Sequence, residues 1–203
     1  MRRIHYMTLV AVIAFSLCPG GFAQELKITM GLSPYQVAQC NAEGKGLILC
    51  SGTWSGSNGP LSVRILKEDV PLEDWRVAGA AENGQWLAII DTLPAGGPYT
   101  VAVRIADTIT SVDGVLAGDL WILAGQSNMQ GVGNMLEVEP PHPLVNMLAM
   151  NGVWRPAQEP LHILAESPDT VHGTFNSEEE RQAAIENAKN GPKGAGLGMA
   201  FAS

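Results

Sequence analysis

The sequence predicts two fold classes in succession: a β-sandwich over residues 24–117, then the start of an α/β domain over 118–203. Three observations carry this. Alternating apolar and polar runs, separated by turn residues, recur up to Gly118. A continuous apolar run, Leu120-Trp-Ile-Leu-Ala124, follows at once. A well-signed helix then begins at Ser177. Short strands with regular turns mark a sandwich, whereas an unbroken apolar run suits a strand buried on both faces of a parallel sheet.

The bulk composition fits. A chain of 203 residues holds one large domain or two small ones, and 46% hydrophobic against 16% charged residues favours folding over disorder. A net charge of -8 argues against a nucleic-acid partner, which needs a basic face. Residues 1–23 read as a signal peptide. Arg2 and Arg3 precede an apolar core from Met7 to Leu17, and Gly21-Phe22-Ala23 puts small residues at -3 and -1 of a cleavage point before Gln24. That core is too short to span a bilayer comfortably, so no stable membrane insertion is expected after cleavage. Cys18 raises a lipoprotein reading, but Leu17 is bulkier than such a site prefers. The expectation is an exported protein, periplasmic or extracellular. Cleavage would remove Arg2, Arg3, His5 and Cys18.

In the first half, Leu61-Ser-Val-Arg-Ile-Leu and Tyr99-Thr-Val-Ala-Val-Arg-Ile alternate as half-buried strands. Ser57-Asn-Gly-Pro60, Glu82-Asn-Gly84 and Pro94-Ala-Gly-Gly-Pro98 break the runs. Cys40 and Cys50 flank the likely turn Glu43-Gly-Lys-Gly46. Their symmetric placement suits a cross-strand disulfide, with two buried free thiols as the alternative. Without a nearby histidine they make a poor zinc site, and no metal or cofactor is expected. Trp54, Trp75 and Trp86 suit core packing better than a sugar-stacking platform.

In the second half, Val145-Asn-Met-Leu-Ala-Met150 reads as a short strand, with Asn151-Gly152 as its turn. Ser177 and Glu180 form a capping-box pattern, Lys189 lies near the helix end, and Gly191-Pro192 stops it. The acids after Ser177 match the helix dipole and are not spaced as a metal site. Gly194-Ala-Gly-Leu-Gly198 is no dinucleotide fingerprint, since Met199 replaces the last glycine and a helix precedes it.

Ser127 follows the apolar run, where a strand end offers a side chain to solvent. A serine nucleophile needs a base, a group to orient that base, and oxyanion donors. Met129 stands where the α/β-hydrolase elbow requires glycine, so that elbow is excluded. By position alone, Ser127 reads as a cap or turn residue sooner than as a nucleophile.

Gly125-Gln-Ser-Asn-Met129, preceded by Gly118-Asp-Leu-Trp-Ile122, resembles the first motif block of the sialate O-acetylesterase family. Leu93 to Thr100 resembles the end of the β-sandwich region before that family's catalytic domain. Trp154 to His162 resembles a segment between its first and second blocks, and Gly194 to Phe201 the helix leading to the second. The family belongs to the SGNH serine hydrolases. The resemblance therefore implies an N-terminal β-sandwich followed by a flavodoxin-like α/β/α hydrolase domain, of which 118–203 is the N-terminal part. It implies an esterase acting on O-acetylated sugars or glycans, with Ser127 as nucleophile and its N–H as an oxyanion donor. Gln126 and Asn128 match the motif and either line the pocket or satisfy loop backbone groups.

The resemblance also implies a glycine and an asparagine from later blocks, and a histidine with an aspartate three residues before it. These are expected beyond Ser203, so the chain as given is expected to be truncated and to lack esterase activity. Asp169-Thr-Val-His172 has the spacing of the last block but lies before the second, where the topology is wrong. His142 and His162 read as loop or packing residues. The rival expectation is a non-catalytic carbohydrate-binding or structural sandwich attached to a partial hydrolase scaffold.

Overall fold

The computed structural model describes residues 24–202; the expected signal peptide lies outside them. Among the described residues, no helix is long and apolar enough to cross a membrane. Nine strands run from Leu26 to Gly118: β1 (Leu26–Met30), β2 (Val37–Gln39), β3 (Lys45–Trp54), β4 (Gly59–Lys67), β5 (Val70–Pro71), β6 (Arg76–Glu82), β7 (Gln85–Pro94), β8 (Gly96–Ile105) and β9 (Thr108–Gly118). The expected turns fall between them. Asn83 and Gly84 both adopt positive φ, 52° and 81°, which closes β6 onto β7 in a two-residue hairpin.

The strands form one sheet rather than the two of a sandwich, in the order β1-β3-β7-β6-β4-β8-β9-β2, with β5 on β4. This corrects the sandwich expectation. Alternation along a strand reports one buried face, and it is the same whether a second sheet or the curl of the same sheet covers that face. Here the sheet curls into a half-barrel. Register shifts in the β3–β7, β4–β6 and β8–β9 pairs bend it. An isolated bridge between Cys40 and Gly46 draws the β2 edge toward β3. Inside the curl lie Ile48, Leu61, Val63, Ile65, Ile90, Val101, Val103 and Val115, each at most 1% exposed.

Trp54 and Trp86 belong to this core, at 3% exposure each. Each indole N–H finds a carbonyl, Ser57 O at 2.8 Å and Lys27 O at 3.1 Å, so burial leaves no orphan donor. Gly52 opposes Trp86 across β3 and β7, and a Cβ there would sit 2.7 Å from the indole ring. Neither tryptophan offers a face to a sugar.

Cys40 and Cys50 are not bonded to each other. The turn at 41–44 closes tightly through Asn41 and Lys45, so Cys40 opposes Gly46, while Cys50 opposes Ala88 on β7. Four residues of strand span roughly 13 Å, about twice the Cα separation a disulfide tolerates. The symmetric spacing in sequence therefore does not become a cross-strand pair. Burial pushes the Cys50 thiol up to about 11. The Cys40 thiol is raised by desolvation and then by Asp119.

After Gly118 the chain forms α1 (Ser127–Gln130), β10 (Gly133–Asn134), β11 (Asn146–Leu148), β12 (Trp154–Pro156), α2 (Glu178–Lys189), β13 (Lys193–Ala195) and α3 (Gly198–Ala202). The strand expected near Val145 is present as β11, and it turns at Asn151-Gly152 onto β12. Helix α2 starts as read: the Ser177 hydroxyl accepts from Glu180 N–H at 3.2 Å. The return bond differs, because the Glu180 carboxylate accepts from Asn176 N–H at 2.8 Å rather than from Ser177. The run Leu120–Ala124 forms no strand. Among the described residues no parallel strand pairs with it, and the only sheets after Gly118 are two-stranded and antiparallel. With no strand paired alongside, Trp121 is 69% and Ile122 94% exposed.

Two outcomes are expected. Unfolding without reductant exposes two titratable thiols from Cys40 and Cys50 of the chain lacking residues 1–23, whereas Cys50 resists modification in the native state; absence of free thiol after unfolding would contradict the fold. Ile90→Ala, deep in the curl, is expected to cost about 2–5 kcal/mol in denaturant unfolding.

Candidate active site around Ser127

The segment that delivers Ser127 is tied to the sheet by one side chain. Gln39, at the end of β2, accepts from Leu120 N–H at 2.8 Å and donates to the Asp119 carboxylate at 3.3 Å. Further along, Leu123 packs with Ala157, Leu161 and Met199. Trp121 meets Phe201 edge to face, with centroids 5.2 Å apart.

Gln126 precedes α1, and its carbonyl accepts from Met129 and Gln130 N–H groups, both at 2.9 Å. Ser127 is thus the first residue of a single helical turn. Such positions leave their backbone N–H groups without intrahelical partners. Ser127 is exposed, and its hydroxyl has no hydrogen-bond partner among the described residues. Gln126 and Asn128 are also exposed, and neither side chain bonds to the loop backbone.

What shapes this turn is close backbone approach. A Cβ on Gly131 would collide with the Gly194 carbonyl. One on Gly196 would lie 3.3 and 3.4 Å from the Met129 and Asn128 carbonyls, and one on Gly198 would strike the Leu161 and Leu123 methyls. Gly194-Ala-Gly-Leu-Gly198 is therefore the surface on which the serine turn rests. Its glycines mark contact rather than phosphate binding.

A buried carboxylate holds that surface in place. Glu159, 7% exposed, accepts from Leu161 N–H at 3.0 Å and from Gly196 N–H at 3.2 Å. Nearby, Arg155 forks onto Glu166 at 2.8 and 3.0 Å, with Glu166 also 7% exposed. Two N–H donors for one carboxylate and a planar fork for the other are what buried anions require. The sequence reading missed Glu159, Arg155 and Glu166 as positioning residues. The only signal was acids within a run rich in proline and leucine, where a solvated face would not be expected.

A cleft of about 600 Å³ opens beside the turn, lined by Gln130, His162, His172 and Lys193 among others. His172 belongs to a short turn, Thr170–His172, capped by Asp169, whose carboxylate accepts from Val171 N–H at 2.8 Å. Asp169 therefore serves its own backbone and does not orient the His172 ring. His142 accepts from Leu144 N–H at 3.2 Å within its loop. No histidine is hydrogen-bonded to Ser127 among the described residues. No group of acids, histidines and cysteines suited to a metal ion is present among them either.

Residues 117–203 match the family described as carbohydrate esterase, sialic acid-specific acetylesterase. This segment, and not the β-sheet before it, is what the chain shares in sequence with the sialic acid-specific acetylesterases. Among curated proteins nothing matches. Among solved structures, a carbohydrate acetylesterase from Xanthomonas citri is 22% identical, with a TM-score of 0.30, covering 51% of this chain and 21% of its own. A protein domain designated IG27 is 12% identical, with a TM-score of 0.26, covering 45% of this chain and 99% of its own. The chain thus spans about a fifth of the length of the Xanthomonas esterase. The match of the acetylesterase family takes in Ser127, the glycine surface and the Glu159 clip together.

Glu159→Ala removes the acceptor shared by Leu161 and Gly196. Hydrogen exchange is expected to quicken about tenfold or more at the Gly196 amide and to stay unchanged in β8. Unchanged protection at Gly196 would show that the carboxylate does not hold the glycine surface.

Proposed function

We propose that the protein is an exported carbohydrate O-acetylesterase with Ser127 as its nucleophile. The observation that carries this is an exposed serine at the start of a helical turn, with its hydroxyl unengaged, inside the segment matched by the acetylesterase family. In this reading residues 1–23 direct export, 24–117 form the preceding β domain, and 118–203 begin an SGNH-type α/β/α domain. The family match of 117–203 supports the last assignment.

Ser127 Oγ attacks the acetyl carbonyl while a histidine base takes its proton. The resulting oxyanion accepts a hydrogen bond from Ser127 N–H, with Gln126 and Asn128 lining the pocket. The sugar oxygen leaves with the proton returned by the base, and an acetyl-serine is left. Water, deprotonated by the same base, then releases acetate and restores the hydroxyl. Nothing in this sequence of steps calls for a cofactor. The partner is an O-acetylated sugar or glycan.

The described residues place no base on Ser127. Residues 24–203 alone are therefore expected to release acetate slowly, by about 10³-fold or more relative to a complete serine esterase. An external base makes the assignment testable. Added imidazole should raise acetate release from an acetylated sugar with the unaltered chain and leave Ser127→Ala at background. Equal imidazole-dependent rates in both would sink Ser127 as nucleophile.

A further inference from the structure

Trp75, in the segment that leads into β6, is half-buried over the outer face of the sheet. The Arg64 guanidinium of β4 lies 4.5 Å from its ring centroid and that of Arg104, on β8, lies 4.3 Å away. Arg64 is registered opposite Ala102, and Arg104 opposite Ser62, so the two arginines are diagonal neighbours on one face. Val63 and Ile65, which flank Arg64, point the other way into the core at no more than 1% exposure.

Among the described residues neither arginine has an anionic partner. The ion pairs among the described residues involve Lys27, Arg76 and Arg155 instead. Even Asp74, adjacent to Trp75 in sequence, pairs with neither. The Arg64 Nε is sealed from solvent with no acceptor among the described residues. Two converging, unpaired guanidiniums are unexpected in a chain of net charge -8, where carboxylates outnumber cations. Stacking on an indole uses the face of a guanidinium and leaves donors at its edge, which for Arg64 are the terminal N–H groups and not the sealed Nε. It also holds the side chain in place before any ligand arrives, which lowers the entropic cost of binding.

We propose that Arg64, Arg104 and Trp75 form a binding site for a carboxylate-bearing glycan, on the sheet and separate from Ser127. A planar carboxylate matches each guanidinium fork, and an acidic glycan repeats its carboxylates from ring to ring along one strand. The choice of a glycan over other polyanions rests on the carbohydrate-esterase reading of residues 117–203. The anion site itself rests only on the sheet.

The test is calorimetric titration of the full chain with trigalacturonate at low ionic strength, with its fully methyl-esterified form as the uncharged control. Binding is expected for the acid, not for the ester, and is expected to weaken as salt rises. Arg64→Gln with Arg104→Gln is expected to weaken it at least tenfold, while Ser127→Ala leaves it unchanged, which separates this site from the fate of the esterase reading. If the glutamine pair unfolds, the pair Arg64→Lys and Arg104→Lys decides. It keeps the charges without the fork, and several-fold weaker binding is expected. Equal affinity for acid and ester, or unaltered affinity in the arginine variants, would overturn the proposal. Inorganic sulfate bound as tightly as trigalacturonate would reduce the site to a simple anion site and overturn the glycan assignment.

Discussion

A sheet with one apolar face must cover that face, and here it does so by curling. The side chains of β3, β4, β7, β8 and β9 converge on a common interior because their strands are continuous neighbours in one sheet. The bulges permit the bend, and the Cys40–Gly46 bridge draws one edge toward the other. Apolar burial of Leu, Ile and Val side chains, at about 1.5–3 kcal/mol each, is what makes the bend worthwhile. The same curl removes Trp54 and Trp86 from the surface and sends Arg64 and Arg104 to the outside.

The Ser127 turn depends on this sheet at one end and on glycine contacts at the other. Gln39 holds the Asp119 carboxylate and the Leu120 backbone N–H, so the chain leaves the sheet in a defined direction. Asn146 donates to the Tyr35 carbonyl at 2.7 Å and ties β11 back to the same edge. Beyond that, Gly131 lets its backbone meet the Gly194 carbonyl, Gly196 lies close to the Met129 and Asn128 carbonyls, and Gly198 leaves room for the Leu161 and Leu123 side chains. Glu159 supplies the acceptor that keeps those segments together. The serine itself makes none of these contacts, which leaves its hydroxyl available for chemistry.

Local features were legible because their causes are local. Strand alternation, the Asn83-Gly84 turn, β11 with its Asn151-Gly152 turn, and the Ser177 cap all follow from interactions within a few residues. The disulfide pattern misled for a related reason. Symmetric spacing about a turn says nothing of where that turn closes, and here it closes early enough to leave Cys50 beyond reach of Cys40. Leu120–Ala124 misled because an apolar run declares only what it could pair with. The pairing depends on other strands.

By itself the sequence determined the β-rich first half, the position of Ser127 after an apolar segment, and the motif that resembles an acetylesterase. These are matters of periodicity and of residue order. Tertiary structure alone decided that one sheet curls over its own apolar face, that Glu159 and Glu166 are buried and bonded, and that Arg64 and Arg104 meet over Trp75 with no carboxylate paired to them among the described residues. Each of those brings together residues distant in sequence, and whether a charge is paired or a face covered is a property of neighbours in space.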